Sequence, residues 1–180
     1  MAGWTSDGWL RCARPVPSPN VDERPQGVAV SLIIMHNISL PPGEYGGADV
    51  EALFTNRLDP CRHPYFEQLR GLRLSAHFFV RRDGEIVQFA SVHQRAWHAG
   101  VSSWKGVERC NDFSVGIELE GTDDDPYSDA QYSAAAVVVR ALHELLPVED
   151  IVGHADVAPG RKTDPGPAFD WPRFRALLAG

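Results

Sequence analysis

"VAVSLIIMH", residues 28–36, is a β-branched, apolar run that ends on a histidine. It is shorter than an ordinary helix and shows neither a helical nor a strictly alternating period. It reads as a strand buried on both faces, which places it at the centre of a sheet covered by helices. "LPPGEYGG" (Leu40 to Gly47) follows closely and is a loop by its glycine and proline content.

The neighbouring segments supply the rest of such a sheet. "DFSVGIELEG" (Asp112 to Gly121) alternates as a strand does, with Val115, Ile117 and Leu119 on one face and Gly116, Glu118 and Glu120 on the other. "LSAHFFVRRDGEIVQFA" holds two apolar runs around Asp83-Gly84, a preferred two-residue hairpin turn. "IVGH" (Ile151 to His154) is a further short strand. "ADVEALFTNRL" (Ala48 to Leu58) reads as a short helix. The main helix spans Ser128 to Pro147. Ser128 and Gln131 form a capping-box pattern, and Ala130, Ala134, Val137, Val138, Ala141 and Leu145 form the apolar stripe. A last helix begins after Asp170 as N-cap, with Pro172 in its first turn. The order is β-α-β-β-β-α-β-α. It predicts one α/β (α+β) domain over residues 1–180, a mixed sheet flanked by helices, with residues 1–27 as an extended N-terminal arm that includes "PVPSPN" (Pro15 to Asn20).

Charge and cysteine content exclude several classes. The 24 acidic residues outnumber the 17 basic ones, for a net charge of −7, which argues against nucleic acid as a partner. No stretch approaches the roughly 20 apolar residues that span a bilayer, so no membrane partner is expected. Asp7 and Arg11 interrupt the N-terminal segment before any signal-peptide core can form. Cys12, Cys61 and Cys110 are odd in number and widely spaced, which agrees with a reducing compartment and a cytoplasmic chain. They read as packing residues.

Of the seven histidines, His63 falls in a loop, His143 lies late in the main helix beside Glu144, and His93 has no partner near it in sequence. His77 reads as a hydrogen-bonded core residue. His36 and His154 differ, because each ends an apolar strand just before a Gly/Pro-rich loop, where sheet proteins commonly build sites. "GHADVAPGRKTDPGP" (Gly153 to Pro167) then supplies Asp164, which a folded-back loop can return to His154. Two imidazoles and one carboxylate form a recurrent catalytic zinc set with a position open for water. Zinc brings the pKa of such a water down to about 7. Lys162 stands close enough in sequence to offer a cation where an oxyanion develops. Glu118 and Glu120 share a strand face, and either can serve as the proton carrier on spacing alone.

"HNISLPPGEYGG", "LRLSAHFFVRRDGEIVQF", "RAWHAGVSSWKG", "ERCNDFSVGIELEGTD" and "GHADVAPGRKTDPGPAFDWPRFRALL" occur in order across nearly the whole chain. Together they closely resemble the zinc-dependent type 2 N-acetylmuramoyl-L-alanine amidases, which share their fold with peptidoglycan recognition proteins and phage amidase lysozymes. The resemblance implies a single zinc ion on His36, His154 and Asp164. It implies Glu118, the first Glu of "GIELEG", as the catalytic acid/base and Lys162 as the catalytic lysine. Many extracellular relatives carry Cys as third ligand, whereas Asp164 fits the cytoplasmic recycling branch. The resemblance also implies Asn37, Arg73, Trp97 and Arg109 as substrate contacts. The expected reaction is hydrolysis of the amide between (1,6-anhydro-)N-acetylmuramic acid and L-alanine of a stem peptide, by a monomer acting on small muropeptides. A non-catalytic peptidoglycan-binding module is disfavoured, since such relatives typically lack the full ligand set.

Overall fold

The apolar run at Val28 begins to pair as a strand only at Leu32, and pairing carries on past His36 to Ile38. A computed structural model, which describes residues 3–180, shows why. It contains strands β1 (Arg14–Pro15), β2 (Val21–Glu23), β3 (Leu32–Ile38), β4 (Phe78–Val80), β5 (Ile86–Gln88), β6 (Gln94–Ala96), β7 (Ser103–Trp104), β8 (Val107–Glu108), β9 (Ser114–Glu120) and β10 (Asp150–Gly153). The α-helices are α1 (Asp49–Phe54), α2 (Asp129–Leu145), α3 (His154–Val157) and α4 (Trp171–Ala179). Six strands form the main sheet in the order β1-β5-β4-β9-β3-β10. The pairs β4–β9, β9–β3 and β3–β10 are parallel, whereas β4–β5 is antiparallel. The sheet is therefore mixed and flanked by helices, as its pattern predicts. No helix among the described residues is long and apolar enough to cross a membrane.

One face of the sheet is closed by α2 and α4. Ile33, Met35, Phe78, Val80, Val115 and Ile117 pack there against Ala135, Val138, Val139, Leu142 and Phe174. The apolar stripe of α2 differs from the expected one: Ala130 and Leu145 are exposed, while Ala135, Val139 and Leu142 are buried. The cause is the "AAAVVV" run, which is apolar all round and lets sheet packing choose the face. The predicted capping box is present, with Ser128 Oγ accepting from the Gln131 amide and Gln131 Oε1 accepting from the Ser128 amide, both at 3.1 Å. Gln131 Nε2 also donates to the Glu120 carbonyl at 2.9 Å, so the cap ties the helix to the sheet. Asp170 caps α4 through the Arg173 amide at 2.9 Å.

The β4–β5 hairpin corrects a detail. Arg81 and Glu85 close a three-residue loop in which Gly84 adopts a left-handed φ of 89°, in place of a two-residue turn. A Cβ at Gly84 would also press on the start of α2, 3.1 Å from the Ala130 carbonyl. Cys12 and Cys61 prove to be exposed, so of the three thiols only Cys110 is a packing residue.

The N-terminal segment is not the extended arm that the sequence predicts. It folds back on itself, with Trp4 paired antiparallel to Leu10 and the Arg11 amide bonded to the Gly3 carbonyl at 2.9 Å, and it wraps the body closely. Trp4 donates its indole N–H to the Ala141 carbonyl at 3.0 Å and meets Phe78 edge-on. Leu10 is 2% exposed within the α2-side core. Arg14–Pro15 joins β5 in parallel and covers an otherwise open sheet edge, where a proline is tolerated. Replacing Leu10 by Ala is expected to cost about 2–5 kcal/mol in urea unfolding, as for a core leucine. A loss below about 0.5 kcal/mol would mean that the arm is peripheral.

Candidate metal centre and its cleft

The β3–β9 register sets His36 directly beside Glu118. The β3–β10 register sets Gly153 beside Met35, so the next residue, His154, falls beside His36. The side chains of His36 and Glu118 leave the sheet on the face opposite α2. The three residues thus gather at the C-terminal ends of parallel strands, where open sheets bind ligands.

Asp164 reaches them through the loop that the sequence singled out. After His154 the chain makes a single turn of helix, and Asp156 accepts from the Gly153 amide at 2.7 Å to cap it. Lys162 N–H bonds back to the Ala158 carbonyl at 3.0 Å, and the Asp164 carbonyl accepts from the Ala155 amide at 3.0 Å. Gly153 is needed where the loop returns, since a Cβ there would lie 2.9 Å from Pro165 Cδ. The return brings Asp164 Oδ2 within 3.0 Å of Nδ1 of both His36 and His154, which are themselves 3.0 Å apart.

The chemistry of these donors fits a divalent metal. Burial drives the His36 pKa down to about 4, so its imidazole is neutral at pH 7. Burial alone would raise Asp164, but hydrogen bonds from His154 and His36 outweigh it and hold the carboxyl below its ordinary range, hence ionised. Two imidazoles and one carboxylate match zinc. The remote nitrogens are also engaged: His154 Nε2 donates to the Ala99 carbonyl at 3.0 Å, and His36 Nε2 lies 2.9 Å from His98 Nδ1.

Glu118 is 8% exposed, and its Oε2 finds no hydrogen-bond partner among the described residues. Burial, then the charge of Asp164, raises its pKa well above the ordinary value, against a smaller opposing effect of Lys162. Glu120 is occupied elsewhere. Its two oxygens accept from the amides of Gly46 at 2.6 Å and Arg82 at 2.9 Å, which ties the 39–47 loop to the sheet. Tyr45, in the same loop, hydrogen-bonds Asp125.

A cleft of about 670 Å³ opens over these groups. His36, Asn37, Glu118, His154, Lys162 and Asp164 line its polar side, and Leu40, Tyr65, Leu69, Leu72 and Leu74 an apolar wall. Asn37 Nδ2 donates to Asp123 Oδ1 at 2.8 Å in the same cleft. The other residues named as substrate contacts lie outside it. Arg109 is exposed, pairs with Asp112 at 3.3 Å and borders a neighbouring depression of about 480 Å³, with Arg161 shared between the two. Arg73 is exposed and lines an adjoining pocket of about 240 Å³ that shares Leu53, Leu69 and Leu72 with the cleft. Trp97 is half-buried and outside the cleft lining. Sequence reasoning missed His98, Asp123 and Tyr65. The first sits beside Trp97 in "RAWHAG", with no spacing that marks it.

Residues 26–167 match the family model described as N-acetylmuramoyl-L-alanine amidase. The chain belongs to this family. It is 59% identical over 174 residues to the 1,6-anhydro-N-acetylmuramyl-L-alanine amidase AmpD of Salmonella typhimurium (strain SL1344), covering 96% of this chain and 93% of that protein. Identity to the AmpD of Escherichia coli (strain K12) is 58% over 174 residues, covering 96% of this chain and 95% of that one. A crystal structure of a selenomethionine AmpD derivative superposes with a TM-score of 0.95 at 57% identity, covering 98% of this chain and 99% of that one. The chain is thus an N-acetylmuramoyl-L-alanine amidase with the type 2 amidase fold.

Because folding raises the Glu118 pKa above its unfolded value near 4.3, the protonated carboxyl favours the folded state. That stability is complete below the unfolded pKa and is lost as pH rises through the folded one. In metal-free protein, Glu118→Gln is therefore expected to unfold at higher urea than the parent at pH 8. The gap should close near pH 4.5. Equal gaps at both pH values would show that Glu118 is not the titrating group.

Proposed function

We propose that this chain hydrolyses the amide joining the lactyl group of 1,6-anhydro-N-acetylmuramic acid to L-alanine of the stem peptide, in cytoplasmic peptidoglycan recycling, with one zinc ion held by His36, His154 and Asp164. The observation that carries the reading is the junction of those three donors with a buried, unpartnered Glu118 in one cleft. Near-full-length identity to AmpD proteins supports the choice of the anhydro sugar.

Bound zinc would act as a Lewis acid toward the lactyl carbonyl and make water a stronger nucleophile near neutral pH. Glu118 takes the proton of the attacking water and then delivers one to the leaving amine of L-alanine. Its raised proton affinity suits that dual task, because a carboxylate near its ordinary pKa would be a weak base. The Lys162 ammonium, on the cleft wall, stabilises the negative oxygen of the tetrahedral state. Asn37, oriented by Asp123, offers a polar contact to substrate beside His36. Arg73 and Arg109 stand outside the cleft as cations for the carboxylates of the stem peptide, and Trp97 as an apolar surface for sugar or stem.

The test is release of free tripeptide from anhydromuramyl-tripeptide by zinc-loaded protein. Chelation should stop release and zinc should restore it. Glu118→Ala is expected to retain one zinc per chain and lose about 10²–10⁴-fold in turnover. No tripeptide, under conditions where a control amidase cuts the same sample, would refute the reading.

A further inference from the structure

We propose that His98 is a positioning residue that fixes the metal-binding tautomer of His36; this rests on the reading of His36 as a ligand given above. A neutral imidazole has one lone pair. For Nδ1 of His36 to offer it to a cation, the proton must sit on Nε2, and that proton needs an acceptor. The neighbour at hand is His98 Nδ1, 2.9 Å away. His98 can accept there only if its own proton is on Nε2, which faces Ser114 Oγ at 3.2 Å. With a cation on His36 Nδ1 the chain runs in one direction: His36 Nε2–H donates to His98 Nδ1, and His98 Nε2–H donates to Ser114 Oγ. Without one, Asp164 Oδ2, 3.0 Å from His36 Nδ1, competes for the same proton.

The second imidazole is held differently. His154 Nε2 faces the Ala99 carbonyl at 3.0 Å, and a carbonyl can only accept. Its tautomer is fixed by the backbone. The tautomer of His36 is fixed only through a side chain, so His98 is where the centre is vulnerable. Both supports lie on adjacent residues. Asn111 Oδ1 accepts from the amides of His98 at 3.2 Å and Ala99 at 2.8 Å, which holds them as one unit.

Gly116 supplies an independent observation. It sits in the middle of β9 and its φ lies outside the left-handed region, so its backbone does not require glycine. A Cβ there would lie 2.5 Å from Cγ and 2.6 Å from Nδ1 of His98. A glycine weakens a strand interior and often marks a close approach. Here the approaching group is the His98 ring, edge-on to His36 with ring centroids 5.0 Å apart.

The experiment uses the full chain with His98→Phe, His98→Asn and Gly116→Ala. Zinc affinity is measured by chelator competition, and the His36 Nε2–H proton of the zinc-loaded protein by ¹H–¹⁵N NMR. His98→Phe, which keeps a ring and removes the acceptor, should weaken zinc about 10–100-fold. It should also move the His36 Nε2–H resonance upfield, because its acceptor is lost. His98→Asn, which restores an acceptor oxygen, should recover much of the affinity. Gly116→Ala should weaken zinc similarly and add little to His98→Phe in the double variant, because both remove one support. Zinc affinity within twofold of the parent in folded His98→Phe would overturn the proposal, as would a His36 Nε2–H resonance in the zinc-loaded protein that His98→Phe leaves unshifted. If His98→Phe fails to fold, His98→Asn set against His98→Ala decides the matter, equal affinities counting against it. A parent that binds no zinc would sink the metal reading above, whereas a parent that binds zinc with an affinity unchanged by His98→Phe would sink this proposal alone.

Discussion

The parallel pairing of β3 with β9 is the constraint on which the site depends. Seven register pairs run from Leu32–Ser114 to Ile38–Glu120 and include His36–Glu118. Side chains alternate across a sheet, so a slip of one residue would turn Glu118 into the core beneath α2 and Ile117 or Leu119 into the cleft. The apolar residues prevent that slip. Val115, Ile117 and Leu119 are buried with Ile33 and Met35 against α2 and α4, and all three would have to change faces. Catalytic geometry is therefore held by the core on the opposite side of the same strands.

The third donor depends on a different device. Asp164 arrives on a loop with only one turn of helix, and its position rests on backbone bonds such as Ala155 to the Asp164 carbonyl. The loop is also clasped from outside, where Arg161 donates to the carbonyls of Ala99 and Val101, both at 2.6 Å. Ala99 thus receives both Arg161 and His154, and the segment that orients an imidazole also anchors the loop that delivers the carboxylate. A strand pair and a clasped loop together give the rigidity that a preorganised centre requires.

Much of this was legible in the residues, for physical reasons. Val28 to His36 and Asp112 to Gly121 announce buried strands through composition and alternation, and the capping box at Ser128 announces the start of α2. The placement of His36, His154 and Asp164 in one cluster could be argued from strand ends and a Gly/Pro loop. The stripe of α2 was not legible, because an apolar run with no polar gap carries no phase. Spacing could not separate Glu118 from Glu120 either, since they share a face. The difference arises from distant partners: the amides of Gly46 and Arg82 engage Glu120 and leave Glu118 to the cleft. His98 was invisible for the same reason. Its partners His36 and Ser114 lie 62 and 16 residues away, and only the folded sheet brings them together.

The same burial that suits these groups to chemistry works against the fold. His36, His154 and Glu118 are each at most 8% exposed, and Asp164 is held as a charge beside them. Uncompensated polar groups in such a place are costly. Three of the four converge on one point, so a single cation can neutralise Asp164 and use both imidazole lone pairs at once. Ligand binding to the folded state then adds to stability in proportion to its affinity. The fourth, Glu118, lies beside that point, but its Oε2 gains no partner among the described residues. It keeps its proton affinity, which is the property the proposed proton transfers require. In this arrangement the locally unfavourable residue is the useful one, and the cost is carried by the dense packing of the strands that present it.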